Sequence, residues 1–236
     1  MSLASQRLDS FLAKHCGISK RDVRLMLAQK RVLVDGQLAA NIEQQVNKFS
    51  LIALDEEVIQ NNPAYYVMLH KPIGVVCATK DVKHSTVIDL LPYDFKEQLH
   101  IVGRLDLNTS GLVLLTNDSR WSEAIIQPSQ KIEKTYQVTL QTPIDESYVD
   151  AFAQGMYFGY ENITTLPAKL KILDTHVAEV KLLEGKYHQI KRMFGRFRNP
   201  VIALHRSQIG DLVLDTELSS GQSRLLTDSE VCLFTK

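Results

Sequence analysis

Apolar positions near the start of the chain recur at helical spacing. Leu8, Phe11, Leu12 and Cys16 share one face, and Gly17 follows as a stop. Ser19, with Asp22 three residues later, reads as a capping box for a second helix. That helix buries Val23, Met26 and Leu27 and exposes Lys20, Arg21 and Arg24. Val32-Leu33-Val34 then reads as a strand, and Asp35-Gly36 as a tight turn. Leu51-Ile52-Ala53-Leu54 supplies a second strand. The pattern predicts a small α/β module over residues 1–57, and the polar stretch 58–64, with Asn-Asn-Pro, reads as a linker.

From Tyr65 the texture changes. Short β-like runs recur at Tyr65–Leu69, Val75–Ala78, Leu112–Thr116, Tyr136–Leu140, Ala168–Leu173, Val177–Leu182 and Val201–Leu204. Helical patterns lie between them at Thr86–Leu91, Trp121–Ile126, Ile144–Gln154 and His188–Phe197. Strands outnumber helices and do not alternate regularly with them. This predicts an α+β fold with a mixed sheet over residues 65–236 rather than a doubly wound parallel one.

Length agrees with two parts, one of them small: 236 residues against about 100–200 per domain. No apolar run reaches membrane-spanning length, and MSLASQRLDSF carries no apolar segment of a secretory signal. Cys16, Cys77 and Cys232 are odd in number and far apart, which argues against a disulfide framework and points to a reducing cytosol. The formal net charge is zero, but the average hides two basic segments. Residues 1–31 hold seven Lys/Arg (Arg7, Lys14, Lys20, Arg21, Arg24, Lys30, Arg31) against Asp9 and Asp22, a net of +5. Residues 180–206 hold seven against Glu184, a net of +6. Such clusters on a balanced chain arise either from solvated helix faces or from a polyanion-binding face.

Three segments of the second part carry candidate chemistry. Asp106 lies in the glycine-bounded loop GRLDLNTSG that runs into an apolar strand. A carboxylate there can be held at a sheet rim as nucleophile or general base. A lone loop aspartate more commonly caps a turn or pairs with a neighbour such as Arg104. Tyr136, in KTYQV, opens an alternating strand and offers its ring either to the core or to a nucleobase. In EGKYHQIKRMF a helix would place His188, Lys191 and Arg192 on one face and Ile190, Met193 and Phe194 on the buried one. No phosphate-binding glycine loop, zinc-binding pair or nucleophile elbow is present in the sequence, and the histidines are scattered. What remains is a site built around a carboxylate, with no metal and no cofactor expected.

Together these segments resemble the pseudouridine synthases of the RsuA type. GRLDLNTSGLVLLTND, KTYQV and EGKYHQIKRMF match the three motifs of that family in order, and YYVMLHKPIGVV and LHRSQIG resemble its opening and closing segments. The resemblance covers residues 65–236. RLDSFLAKHCGISKRDVRLMLAQKRVLVDG is similar to an S4 RNA-binding module, with Lys30 standing where that module usually has glycine.

The resemblance implies an isomerase that converts uridine in ribosomal RNA to pseudouridine without a cofactor. Asp106 matches the catalytic aspartate, which either attacks the ribose C1′ or deprotonates C2′. Tyr136 matches the tyrosine that stacks on the target base. Lys191 matches the basic residue beside the aspartate, with Arg192 able to exchange places with it. Arg104 would lie near the phosphate of the extruded nucleotide. Arg7, Lys20, Arg21, Arg24, Lys30 and Arg31 would bind RNA through the S4-like module. Trp121-Ser122, HQIKRMF and LHRSQIG most resemble the branch that acts on 16S RNA, at uridine 516 in a small-subunit assembly intermediate. A 23S enzyme of the same family and a non-catalytic assembly factor are the alternatives. A cytoplasmic monomer is expected.

Overall fold

The computed structural model describes residues 5–235. The chain divides into two compact units: one runs to Ala64 and takes in Asp118–Arg120, and the other holds Tyr65–Asn117 and Trp121 onward. Among the described residues no helix is long and apolar enough to cross a membrane.

In the first unit, helix Leu8–Cys16 ends at Gly17 in the left-handed conformation. Helix Lys20–Ala28 starts on the Ser19/Asp22 capping box. It ends on a reciprocal pair of bonds: the Lys30 N–H donates to Leu27 and the Arg31 N–H to Met26. That closure needs a left-handed residue at position 30, and Lys30 takes φ 59°. Strand Val32–Val34 pairs with Gln37–Leu38 across the Asp35-Gly36 turn and with Ile52–Leu54 on its other side. Leu8, Phe11, Leu12, Val23, Val32, Val34, Val46 and Ile52 form the core between helices and sheet.

The stretch read as a linker starts later than its composition suggests. Glu57–Gln60 is a fourth strand, paired with Ile52–Leu54. Asp55 and Glu56 both take positive φ and make the tight turn between them. An Asp-Glu pair is not a usual signature of such a turn, and the short strand behind it begins and ends on polar residues.

The second unit is built on a nine-stranded mixed sheet. Its main path runs Lys169–Asp174, Val177–Leu182, Lys134–Leu140, Val201–Ile209, Ser110–Thr116, Tyr66–Lys71, Ser223–Leu225. In strand Ser110–Thr116 the run Leu112 to Leu115 is apolar without alternation because it is covered on both faces. Val113 and Leu115 join one core with Val67 and Leu69. Leu112 and Leu114 join the other with Met68 and Trp121.

One parallel pairing joins the two halves of the sheet, with His205 opposite Ser110 and Arg206 opposite Gly111. A Cβ on Gly111 would stand 2.2 Å from the Arg206 carbonyl oxygen, so only glycine permits this approach. Strand Val201–Ile209 runs five residues beyond the apolar stretch that announces it, because its polar half alternates into the sheet.

Two expected elements do not form. Val75–Ala78 is a loop with a single bridge, Val76 to Thr86. Thr86–Leu91 is a series of turns. There the Asp89 carboxylate accepts from the Thr86 N–H and hydroxyl, which satisfies one turn locally. Pro92 then bars Leu91 from helical geometry.

Candidate active site

The loop bearing Asp106 leaves strand His100–Val102 and returns into strand Ser110–Thr116. Its backbone is held from below by Lys71, the last residue of strand Tyr66–Lys71 and fully buried. The Lys71 ammonium donates to the carbonyls of Thr109 at 2.7 Å, Asp106 at 3.1 Å, Leu107 at 3.4 Å and Pro72 at 2.9 Å. Burial pushes the pKa of this ammonium down from the usual lysine value.

Further ties fix the same loop. The Gly74 N–H donates to the Leu107 carbonyl at 2.9 Å, and the Leu105 N–H to Cys77 Sγ at 3.2 Å. Arg206, also buried, donates to the carbonyls of Leu112 and Gly103. Burial pushes the Cys77 thiol pKa up, so it serves as a neutral acceptor. Sequence reading did not assign Lys71, Cys77 or Arg206 a role. The available signal was positional: a single charge at the end of an apolar strand, and another on its inward alternation.

The loop presents the Asp106 carboxylate, one third exposed, into a cleft. Two side chains from EGKYHQIKRMF converge on its Oδ2: Lys191 Nζ and His188 Nε2, each at 3.5 Å. Lys191 sits on helix Gln189–Gly195, and His188 precedes it with φ 48°. Its ring stacks on Tyr187 at 3.9 Å. Arg104 is exposed at the cleft edge and does not pair with Asp106.

Tyr136 lines the same cleft and is 9% exposed. Its ring packs in the core cluster, and its hydroxyl has no hydrogen-bond partner among the described residues. Thr109, also in the wall, has a buried hydroxyl without a partner.

The expectation that Arg192 shares the Lys191 face is corrected. Arg192 points away, binds Glu161 through both terminal nitrogens at 2.6 and 2.5 Å, and lies over the Phe158 ring. A helix turns about 100° per residue, so neighbours at 191 and 192 address different surroundings.

The residues expected to bind RNA divide into two groups. Arg7 is paired with Asp9 and Glu43, and Arg31 with Asp55. Lys20, Arg21, Arg24 and Lys30 are exposed and without ion-pair partners among the described residues. Lys20 and Arg24 lie one turn apart on one helix face, with Arg21 beside them. Trp121 and Ser122 are packing residues: the Trp121 indole donates to the Val231 carbonyl, and Ser122 bonds His100.

A carboxylate on a braced loop, flanked by two nitrogen bases and an aromatic wall, suits chemistry on a flat, extruded nucleobase. The family model described as RNA pseudouridylate synthase matches residues 65–195. The chain belongs to the RNA pseudouridylate synthase family. Within it the chain is of the RsuA type and is an isomerase.

It is 48% identical to the ribosomal small subunit pseudouridine synthase A of Pseudomonas aeruginosa, over 96% of this chain and 99% of that protein. The protein of that name from Escherichia coli strain K12 is 39% identical, over 95% of this chain and 98% of its own. A crystal structure titled pseudouridylate synthase superposes with a TM-score of 0.71 at 39% identity, covering 98% of this chain and all of that one.

Proposed function

We propose that this protein isomerises one uridine of 16S ribosomal RNA to pseudouridine, with Asp106 as the catalytic carboxylate. The observation that carries the reading is the convergence of Lys191 and His188 on Asp106 Oδ2, in a cleft that Tyr136 also lines. The N1–C1′ bond of the nucleotide breaks, the freed uracil turns, and a C5–C1′ bond forms. The C5 hydrogen leaves as a proton and N1 ends protonated, so the atoms balance without a redox partner. Asp106 acts on the ribose, and Lys191 and His188 hold its carboxylate in place. Tyr136 offers its ring to the base and its hydroxyl to a polar edge.

The names of the relatives support the small ribosomal subunit as the source of the substrate. Uridine 516 is carried over from the branch that the motifs resemble. The substrate form is a small-subunit assembly intermediate, met in the cytoplasm by a monomer. The exposed cations Lys20, Arg21, Arg24 and Lys30 supply sequence-independent RNA affinity, which helps offset the few kcal/mol needed to extrude the base.

The test is pseudouridine mapping of ribosomal RNA from cells lacking the gene, with and without complementation by wild type or Asp106→Asn. The proposal expects one 16S site to vanish and to return only with wild type. Loss of a 23S site instead would move the substrate, and full rescue by Asp106→Asn would favour a binding role alone.

A further inference from the structure

A second cavity adjoins the Asp106 cleft, and of the side chains that line it only Arg104 and Tyr136 have a role above. Its volume is about 370 Å³, against about 90 Å³ for the cleft. Arg104, Tyr136, Gly185 and Lys186 line both. Four cationic side chains, Arg104, Lys134, Lys186 and Arg206, and one acid, Glu184, line the second.

Three of these five are already engaged. Glu184 accepts from the Leu166 N–H and the Gln189 amide, each at 2.8 Å, and pairs with Lys186 at 3.4 Å. Arg206 is spent on the carbonyls of Leu112 and Gly103.

Arg104 and Lys134 are left. Neither side chain has a hydrogen bond or ion pair among the described residues. Lys134 is half-buried, two residues before Tyr136 on the same strand, so both side chains leave one face of the sheet. Burial, with Arg206 nearby, lowers its pKa. The contrast with Lys71 is informative: that ammonium is deeper but surrounded by four carbonyls. A half-buried ammonium without an acceptor is a cost to the free protein, and an incoming anion relieves it.

We infer that Lys134 seats the backbone phosphate of the nucleotide adjacent to the target uridine, beside the Arg104 that the family resemblance puts at the uridine's own phosphate. This rests on the reading of the Asp106 cleft as the uridine site. An RNA strand with its uridine in the cleft must run past the walls the two spaces share. Its phosphodiester is the anion it always carries. The seat fixes where the strand enters, so Lys134 positions the substrate and takes no part in bond making.

The experiment compares wild type, Lys134→Met and Lys134→Arg on C5-tritiated 16S transcripts, and separately as RNA-free proteins. Lys134→Met is expected to raise KM about tenfold with a much smaller change in kcat. It should reduce the slope of log affinity against log salt by about 0.7, as for one lost contact to a single strand. It should also raise the Tm of the free protein by about 2–4 °C, because an uncompensated charge is gone. Lys134→Arg should keep the wild-type KM.

An unchanged KM, or a lowered Tm with Lys134→Met, overturns the inference, since a merely structural lysine would stabilise. Pyrophosphate provides a probe that does not depend on catalysis. It should raise the Tm of wild type and not of Lys134→Met, and equal or absent protection in both overturns the seat. If wild type releases no tritium from any RNA, the uridine reading fails while the pyrophosphate arm still decides the seat.

Discussion

Lys71 and Lys30 show how much one side chain settles in this fold. Lys71 replaces the hydrophobic residue that the end of a buried strand would normally carry, and it holds three carbonyls of the Asp106 loop. Lys71→Met keeps the bulk but strands those oxygens. It should destabilise the second unit by about 3 kcal/mol and lower kcat more than RNA affinity. Urea unfolding and single-turnover tritium release measure the two effects. Lys30 sits in a left-handed closure that favours glycine. Lys30→Gly should stabilise the first unit by about 1 kcal/mol, seen as slower hydrogen exchange of the Val32–Val34 amides. It should weaken RNA binding at the same time, because a free cation is lost. Asp106 and Lys191 were legible as residues, since their motifs match a family in register. The direction of Arg192 was not, because Glu161 and Phe158 reach it from a distant hairpin.

Elements announced themselves where local pattern and tertiary demand agreed. The first two helices carry their own caps, so their bounds follow from Gly17 and Ser19. Strand Val177–Leu182 alternates cleanly between buried and half-exposed. Glu57–Gln60 and the polar half of Val201–Ile209 stayed hidden because partner strands, not apolar periodicity, hold them. The C-terminal segment depends on charge. Arg224, on strand Ser223–Leu225, bonds Asp215 and both oxygens of Glu230 on helix Asp228–Cys232. The Arg224 guanidinium holds the Glu230 carboxyl down at about 2. A folded-state pKa below the unfolded value means stability that is present above the unfolded pKa and lost as pH falls toward the folded one. The pair is partly solvated, so Glu230→Gln should cost about 1 kcal/mol at neutral pH. The difference in Tm between wild type and Glu230→Gln should close as pH drops from about 4.5 to about 2.

At the scale of the whole molecule, the zero net charge conceals a division of labour. The first unit exposes Lys20, Arg21, Arg24 and Lys30 without an ion pair among the described residues, whereas in the cleft of the second Lys191 and His188 both turn to one carboxylate. Replacing Lys20, Arg21 and Arg24 together with Gln should weaken RNA binding and flatten its salt dependence. The single-turnover rate at saturating RNA should stay within about threefold, since these side chains lie outside the cleft. Filter binding across a salt series, paired with tritium release, separates the two. A matching fall in the saturated rate would mean that the first unit does more than hold the substrate.

The most direct test is single-turnover release of tritium from uracil C5 in 16S RNA carrying small-subunit proteins, with wild type and Asp106→Asn. Isomerisation makes C5 the glycosidic carbon, so its hydrogen must leave. Wild type should release tritium from one uridine per RNA. Asp106→Asn should bind the RNA equally well and release it at least about a thousandfold more slowly. Release by Asp106→Asn at the wild-type rate would contradict the central role assigned to this carboxylate.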